Sequence, residues 1–298
     1  MQPHSHFGGT GLEPALAGER LAFNGLNCYV AGAGQPLLLV HSVNASASAA
    51  EVRPLFDHFR GSRRVFALDL PGFGLSDRSD RVYTPALMTE AVLAAAAQIR
   101  QQCGAGPVDA LGVSLGCEFL ARAAANAPAE FRRLAFVSPT GLEGRANRHG
   151  AAGSTREIPL MHGLLTKPGW GAWLYRQLTR PAVVRHFLEG SWGSKQIDER
   201  LFDYTVKSAQ APGARHAPLY FLSGALFSAD IHRVYESLSQ PVWMACGTHG
   251  DFTDFRAAEK LPRLRLWQQT RFDTGALPFF QRPDQFFQAL QRFMPVGQ

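Results

Sequence analysis

The segment Gly112-Val113-Ser114-Leu115-Gly116 has the residue types of a turn that presents a nucleophilic serine. It lies where the apolar run VDALGVS (108–114) changes into the helical pattern LGCEFLARAAANA (115–127). In such a strand–turn–helix the positions two before and two after the serine nearly touch, so glycine is favoured at both. The helix behind the serine points its N-terminus at the site and favours negative charge there. A serine at a helix start without chemical consequence is the alternative interpretation.

Strands and helices that alternate along the chain are needed to position this turn. Buried strands are predicted at 37–42, 64–70, 108–114 and 132–139, and helices at 51–59, 84–104 and 115–127. In the longest of these helices, Thr84 is suited to the N-cap position, Pro85 to the first turn and Gly104 to the C-terminal end. The alternation predicts a mostly parallel sheet with helices on both faces. Residues 19–32, around Asn24-Gly25, predict an antiparallel hairpin at its edge.

The alternation stops between about residues 140 and 235, which predicts a helical cap. Helices are expected at 159–165, 170–178, 181–190, 198–209 and 217–226. Strands return at 241–247 and 263–272, and a last helix is predicted over 283–294. The domain prediction is therefore a core of residues 1–139 and 236–298 that carries a cap of residues 140–235. An apolar cap lining is suggested by Trp170, Trp173, Tyr175, Phe187 and Trp192, although such stripes are more often plain core.

These segments together resemble the α/β-hydrolase superfamily in its capped form, over about residues 20 to 294. LLLVHS (37–42), LDLPGFGLSDR (68–78), GVSLG (112–116) and PVWMACG (241–247) carry the resemblance. It implies an α/β-hydrolase fold, with a mostly parallel eight-stranded sheet flanked by helices and an inserted helical cap. It also implies a serine hydrolase acting on a small ester, amide or similar carbonyl compound. The serine at position 114 disfavours the dehalogenase and epoxide-hydrolase branches, which use aspartate there.

The resemblance implies an oxyanion hole built from two backbone N–H groups. One belongs to Leu115, directly after the nucleophile, and the other to Val43. The chain has His41-Ser42 where the family has His-Gly, so the shape of this loop depends on whether serine can replace glycine there. His41 is expected to form structural hydrogen bonds and not to act as a base.

The acid of the site is expected in the loop after PVWMACG. The family position falls on Asp251, which makes it the first choice. Asp254 is the second choice, although it could equally cap a helix that starts near Phe255. A solvated carboxylate without a role is the alternative for Asp251.

The histidine of the family's triad is missing from this chain. Residues 274–286, TGALPFFQRPDQF, fit the loop that normally carries it, and Ala276 stands at the histidine position. No histidine follows His249 in the sequence. A serine hydroxyl without a base to take its proton is a weak nucleophile.

Three explanations for the missing histidine are open at this stage. His249 could substitute as the base, because it lies in the acid loop at the same sheet edge; His162, His186 and His216 of the cap are weaker candidates. The chain could instead bind a small apolar ligand, or carry out slow or different chemistry. The alanine could also be an introduced change that traps an acyl-enzyme, or the base could be an unconventional one.

The composition of the chain limits the kinds of binding partner that we expect for it. The 298 residues carry a net charge of +6, but the basic residues are scattered, which disfavours nucleic-acid binding. No apolar run is long enough to cross a bilayer, so no membrane partner is expected; a homo-oligomer is left open. Cys28, Cys103, Cys117 and Cys246 lack metal-ligand spacing, so we expect free thiols, a cytoplasmic location, and neither a metal nor an organic cofactor.

Overall fold

Eight strands form one sheet in the computed structural model, which describes residues 11–296 except 105, 145–148, 166 and 168, and the side chain of 162. The strands are β1 (Glu19–Phe23), β2 (Leu26–Ala31), β3 (Pro36–Val40), β4 (Arg64–Asp69), β5 (Val108–Val113), β6 (Phe131–Val137), β7 (Val242–Gly247) and β8 (Gln268–Phe272). Their spatial order is β1-β2-β4-β3-β5-β6-β7-β8. Pairing is antiparallel from β1 to β2 and from β2 to β4, and parallel elsewhere. The predicted α/β-hydrolase fold is confirmed.

The edge hairpin turns where the sequence predicted. Asn24 and Gly25 both have positive φ, 50° and 75°, which matches the turn that joins two twisted strands most tightly. The central strands β4 and β5 are buried on both faces, as expected for parallel strands covered by helices on either side.

Helices cover the sheet and form the cap. They are α1 (Arg53–Phe59), α2 (Pro85–Cys103), α3 (Gly116–Asn126), α4 (Pro159–Leu165), α5 (Trp170–Leu178), α6 (Pro181–Trp192), α7 (Glu199–Gln210), α8 (His216–Leu222), α9 (Ile231–Ser237), α10 (Pro278–Gln281) and α11 (Pro283–Phe293). The Thr84 hydroxyl accepts the Leu87 N–H at the start of α2, at 3.1 Å, and Gly104 ends that helix with a φ of 97°. The predicted capping of this helix is confirmed.

The last strand is shorter than predicted. Residues Pro262–Leu266 form a 3₁₀ helix, and only Gln268–Phe272 belong to β8. The alternating Leu and Arg of this stretch imitate a strand pattern, but Pro262 presets the backbone for a helical turn. Within that turn Leu264 is buried, whereas Leu266 is 75% exposed.

The segment between β6 and β7 contains α4 to α9. The helix α9 packs against α3, and its residues Ile231 and Tyr235 belong to the same buried cluster as the core residue Phe119. The predicted cap boundary at residue 235 therefore falls inside a helix that packs on the core.

Two arginines of the core fasten the cap. The guanidinium of Arg78 donates to the Ser208 carbonyl and hydroxyl in α7, at 2.8 and 2.9 Å. Arg53 donates to both carboxylate oxygens of Asp198, the residue before α7, at 2.8 and 2.7 Å. Arg78 donates from two nitrogens of its planar guanidinium, which fixes orientation as well as distance, whereas Arg53 donates both bonds from Nη2. The cap is thus held in a defined position over the carboxyl edge of the sheet.

Candidate active site

Ser114 lies in the sharp turn between β5 and α3. Its φ is 49°, in the left-handed region that side chains other than glycine seldom adopt. Hydrogen bonds on both sides hold this conformation: the Ser114 N–H donates to the Val137 carbonyl at 2.8 Å, and the Ser114 carbonyl accepts the Cys117 N–H at 3.0 Å. A serine held in a rare backbone conformation at a strand–helix junction is the geometry of an exposed nucleophile.

The flanking glycines are required by close backbone contacts. A Cβ atom on Gly116 would lie 2.3 Å from the His41 carbonyl oxygen, which is a clash with a main-chain atom. A Cβ on Gly112 would lie 3.2 Å from the carbonyl carbon of Gly116 and 3.1 Å from the Cys117 backbone. The two positions therefore approach each other as the sequence pattern predicts.

His41 is a buried structural residue. Its Nε2 accepts the Leu70 N–H at 3.0 Å, so Nδ1 carries the proton and donates to the Ser42 carbonyl. Burial lowers the pKa of His41 to about 4, which keeps the ring neutral. The ring joins the ends of two strands and leaves neither nitrogen available for a substrate.

Ser42 fits at the position that the family gives to glycine. The φ of Ser42 lies outside the positive, left-handed range, so a serine side chain fits there without backbone strain. Glu51 binds this serine twice: its two carboxylate oxygens accept the Ser42 N–H at 2.6 Å and the Ser42 hydroxyl at 2.7 Å. Glu51 is itself buried in the 3₁₀ helix Ala49–Val52, and its burial raises the pKa of the carboxyl group.

The two residues expected to supply the oxyanion hole lie at the cavity. Val43 and Leu115 both line the cavity that contains Ser114. Within the described part of the chain, neither N–H donates to a protein acceptor. Two unpaired N–H groups next to a serine, one at the start of the eleven-residue helix α3, suit a developing negative charge.

The cavity under the cap has a volume of about 270 Å³. Its wall on the cap side is apolar and aromatic, and contains Phe187, Leu188, Trp192, Phe221 and Phe227. A second chamber of about 160 Å³ shares Asn44, Glu51, Phe187, Leu188 and Phe221 with the first, and extends between α5, α6 and α7. The predicted apolar lining is thus present at Phe187 and Trp192.

Three other aromatic residues of the cap do not line the cavity. Trp170 and Trp173 are exposed on the surface of α5. Tyr175, on the opposite side of that helix, is buried and donates its hydroxyl to the Ala45 carbonyl at 3.0 Å. Of the aromatic residues expected to line the cap, Trp170 and Trp173 therefore lie on the surface, and Tyr175 fastens α5 to the loop after β3.

Ala276, the residue expected at the histidine position, lies at the wall of the cavity. Its N–H donates to the Ser191 carbonyl at 2.7 Å, and its carbonyl accepts the Ser138 hydroxyl at 2.7 Å. The loop after β8 is therefore in position, but it places a methyl group at the cavity wall.

Asp251 does not point into the cavity. The loop after β7 turns through Gly250 and Phe252, whose φ values are 75° and 61°, so that Phe252 faces the cavity instead. The Asp251 side chain is exposed, and its Oδ2 would lie 2.4 Å from a Cβ on Gly190 of α6. Its N–H donates to the Gly190 carbonyl at 2.9 Å, which ties this loop to the cap.

Asp254, the second choice for the acid, is bound elsewhere. It pairs with Arg256 at 2.8 Å, and this hydrogen bonding holds the pKa of the Asp254 carboxyl group below its usual range. No helix begins near Phe255 in this described segment, where the next helical turn is Ala258–Lys260. The expected capping role is therefore wrong.

His249, the expected substitute base, lies outside the cavity. Its Nε2 pairs with Asp273, and the two side chains are 55% and 77% exposed. Of the weaker candidates, His186 is exposed and His216 pairs with Asp80 at 3.2 Å; the side chain of His162 is outside the described residues. Among the described residues, no histidine lines the cavity.

Several polar residues of the cavity were given no role by the sequence, among them Glu51, Ser138 and Glu143. Glu51 was treated only as part of a helix, and Ser138 as the end of a strand. Ser138 has a φ of 46° and reaches across to Ala276. Because ligands bind at the carboxyl ends of parallel strands, the polar residue directly after β6 was a detectable signal. Glu51 had no comparable signal, since only the fold brings it to Ser42.

Comparison with known proteins supports the fold assignment. The family model described as alpha/beta hydrolase fold matches residues 35–165. No curated protein sequence matches the chain at a significant level. The 2-hydroxy-6-oxo-6-phenylhexa-2,4-dienoate hydrolase of Rhodococcus sp. strain RHA1 is 17% identical over 91% of this chain and 95% of that one, with a TM-score of 0.69.

Two further solved structures are similar in the same way. A meta-cleavage product hydrolase of Pseudomonas fluorescens IP01 is 16% identical over 90% of this chain and 93% of that one, with a TM-score of 0.64. A serine hydrolase involved in carbazole degradation is 16% identical over 93% and 99%, with a TM-score of 0.69. At these identities the likeness concerns the fold.

Proposed function

We propose, from the α/β-hydrolase fold, that the chain is a serine hydrolase that uses Ser114 on a small ester, amide or related carbonyl compound. One observation carries the proposal. Ser114, in its left-handed conformation, shares a cavity with two backbone N–H groups that have no acceptor among the described residues. A nucleophile and an anion-stabilising pair in one apolar enclosure are the parts that acyl transfer needs.

The reaction would follow the two steps of acyl transfer. The Ser114 oxygen attacks the carbonyl carbon, its proton passes to a base, and the Val43 and Leu115 N–H groups stabilise the resulting oxyanion. The tetrahedral intermediate collapses as the base returns the proton to the leaving oxygen or nitrogen, so that an alcohol or amine departs, and water then releases the acid from the serine ester. The proton acceptor is water or a cavity-wall carboxylate, Glu51 or Glu143, because no described histidine lines the cavity.

Turnover is expected to be slow. Removal of the histidine from a serine triad costs on the order of a million-fold in kcat. What remains, on the order of 10³- to 10⁴-fold over the reaction in water, comes from the oxyanion hole and substrate binding. The two connected chambers suit a carbonyl compound with an apolar group on each side of the reacting carbon.

A second candidate function is binding of a small apolar ligand without turnover. It is favoured by the methyl group of Ala276 at the base position and by the outward direction of Asp251. In that case the cavity would hold a ligand reversibly, and Ser114 would contribute a hydroxyl for hydrogen bonding.

Labelling with a fluorescent fluorophosphonate distinguishes these functions. We expect the wild-type protein to be labelled slowly at one site, as located by mass spectrometry of the modified peptide. Ser114→Ala should abolish labelling and hydrolysis of p-nitrophenyl butyrate. His249→Ala is the control, and should leave both rates within twofold because its ring is exposed and paired with Asp273.

Each outcome of these experiments leads to a different conclusion about the site. Absence of labelling in a wild-type protein that still binds an apolar fluorescent probe would support the ligand-binding function. Equal labelling of Ser114→Ala and wild type would remove Ser114 from the mechanism. Loss of activity in His249→Ala, with unchanged thermal unfolding, would restore that histidine as the base.

A further inference from the structure

The outer face of α5 carries two exposed tryptophans. Trp170 and Trp173 are 44% and 45% exposed, and their rings stack with centroids 5.0 Å apart. They are three residues apart, so they lie on one side of the helix, and Arg176 continues that side. Apolar residues that are exposed singly are common, but large apolar side chains that are exposed and in contact with each other often mark an interaction surface.

Exposed apolar residues also lie on α4, the helix before α5. The start of α5 packs closely on the end of α4, since a Cβ on Gly171 would lie 1.9 Å from the Leu165 carbonyl oxygen. Leu160 on α4 is 87% exposed. We define the tryptophan face by its exposed apolar members, Leu160, Met161, Leu164, Trp170 and Trp173.

Within residues 158–188, which contain the tryptophan face, the charged side chains are all cationic. Residues 158–188 contain no aspartate or glutamate, although they include four lysines and arginines. Of these, Arg185 pairs with Glu199 at 2.7 Å. Lys167, Arg176 and Arg180 form no ion pair with any residue that the structure describes.

We propose that the tryptophan face docks the protein onto an anionic lipid bilayer. Tryptophan is enriched at the boundary between lipid headgroups and hydrocarbon, and cationic side chains beside it are attracted to anionic headgroups. No helix in the described part of the chain is long and apolar enough to cross a membrane, so the contact would be peripheral.

Docking in this way would bring the cavity close to the bilayer. The inner side of α5 contributes Leu178 to the second chamber, while its outer side carries the tryptophans. Tyr175 on the same helix holds the loop after β3 through its bond to Ala45. An apolar compound dissolved in the bilayer would therefore meet the protein one helix away from the second chamber.

Co-sedimentation with vesicles tests the proposal independently of any catalytic activity. We expect the full chain to bind vesicles of phosphatidylcholine with 30% phosphatidylglycerol, and to bind pure phosphatidylcholine at least tenfold more weakly. The double variant Trp170→Ser/Trp173→Ser should lower the partition coefficient at least tenfold. Arg176→Gln/Arg180→Gln should lower it about fivefold for each arginine, and high salt should reproduce that loss.

Matched controls come from residues outside the segment between β6 and β7. Leu266→Ser removes an apolar side chain that is 75% exposed, and Arg292→Gln removes a cation from α11; neither should change binding. Circular dichroism and thermal unfolding should be unchanged in every variant. Leu160→Ser supplies a second, independent change in the tryptophan face.

Three results would overturn the proposal. One is that the wild-type protein does not bind anionic vesicles. Another is that the tryptophan double variant binds as well as Leu266→Ser does. The third is that light scattering shows a wild-type dimer that the double variant dissociates, because the face would then be a contact between two copies of this chain.

Discussion

On one side of the cavity, the ends of β3 and β5 bring together the Ser114 hydroxyl and the free N–H groups of Val43 and Leu115. On the other side, the ends of β7 and β8 bring the methyl group of Ala276 to the wall and turn Asp251 outward. Both sides keep their backbone positions. Only the first side keeps the chemical groups that acyl transfer uses.

The difference shows which parts of such a site the main chain supplies and which depend on one side chain. The nucleophile side depends on glycines at 112 and 116, a left-handed serine and amide N–H groups, all of which the fold itself provides. On the other side, we expect the base to depend on a single side chain at position 276. One residue type can therefore remove the base while the loop around it stays fastened to α6 through the Ala276 N–H and the Ser191 carbonyl.

Restoring histidine should have the largest effect. Ala276→His places an imidazole at the cavity wall, and a positioned general base contributes about 10²-fold or more. We expect fluorophosphonate labelling and p-nitrophenyl butyrate hydrolysis to rise about 10²-fold. Ala276→Phe is the matched control for bulk and should give no rise. Equal rates in wild type and Ala276→His would mean that the loop cannot present a base to Ser114.

The acid loop should matter only once that histidine is present. In the Ala276→His protein, Asp251→Asn should lower the restored rate at least tenfold, because an aspartate orients and stabilises the protonated imidazole. In the otherwise wild-type protein, the same change should alter the rate less than twofold, since Asp251 is exposed and away from the cavity. Equal effects in the two backgrounds would show that Asp251 acts without a histidine.

Glu51 should prove to be a positioning residue on the nucleophile side. Glu51→Leu leaves the buried Ser42 N–H without its acceptor, which should cost about 1–3 kcal/mol of unfolding free energy. Because Val43 follows Ser42 directly, we also expect labelling of Ser114 to slow about tenfold.

Glu51→Gln keeps an acceptor oxygen and is the matched control. It should restore most of the stability and labelling lost in Glu51→Leu. If Glu51→Gln loses activity as fully as Glu51→Leu at unchanged stability, the carboxylate itself takes part in proton transfer. The pH profile of labelling would then shift with the substitution.

The last prediction concerns stability and its pH dependence, with no expected effect on catalysis. Glu118 of α3 accepts the Thr140 hydroxyl and the Ser228 N–H at 2.6 and 2.9 Å, and burial raises the pKa of Glu118 to about 7. The folded chain therefore keeps this proton where the unfolded chain has lost it. Unfolding free energy should fall as pH rises from about 4.5 to about 7, by at most about 1.4 kcal/mol per pH unit.

Glu118→Gln should remove that contribution. Chemical denaturation between pH 4.5 and pH 8 measures it as a flatter dependence than in the wild type. Glu90→Gln, an exposed change on α2, should leave the dependence unchanged. An identical pH dependence in wild type and Glu118→Gln would exclude the buried carboxyl group as its source.

The sequence alone determined the fold class, the edge hairpin at Asn24-Gly25, and the absence of histidine after residue 249. These follow from local patterns, since apolar runs, glycines and capping residues act within a few neighbours of themselves. The short β8 was misjudged because alternating leucine and arginine imitate a strand, and only packing around Leu264 distinguishes the two.

Tertiary structure alone decided where the remaining side chains point. The turn at Phe252 directs Asp251 outward. His249 pairs with Asp273 at the surface and so lies outside the cavity. The tryptophans of α5 are exposed to solvent. Glu51 reaches Ser42 only because β3 and the following 3₁₀ helix fold back on each other. Such contacts join residues whose relative directions are set by the packing of whole elements, and no local pattern of residue types specifies them.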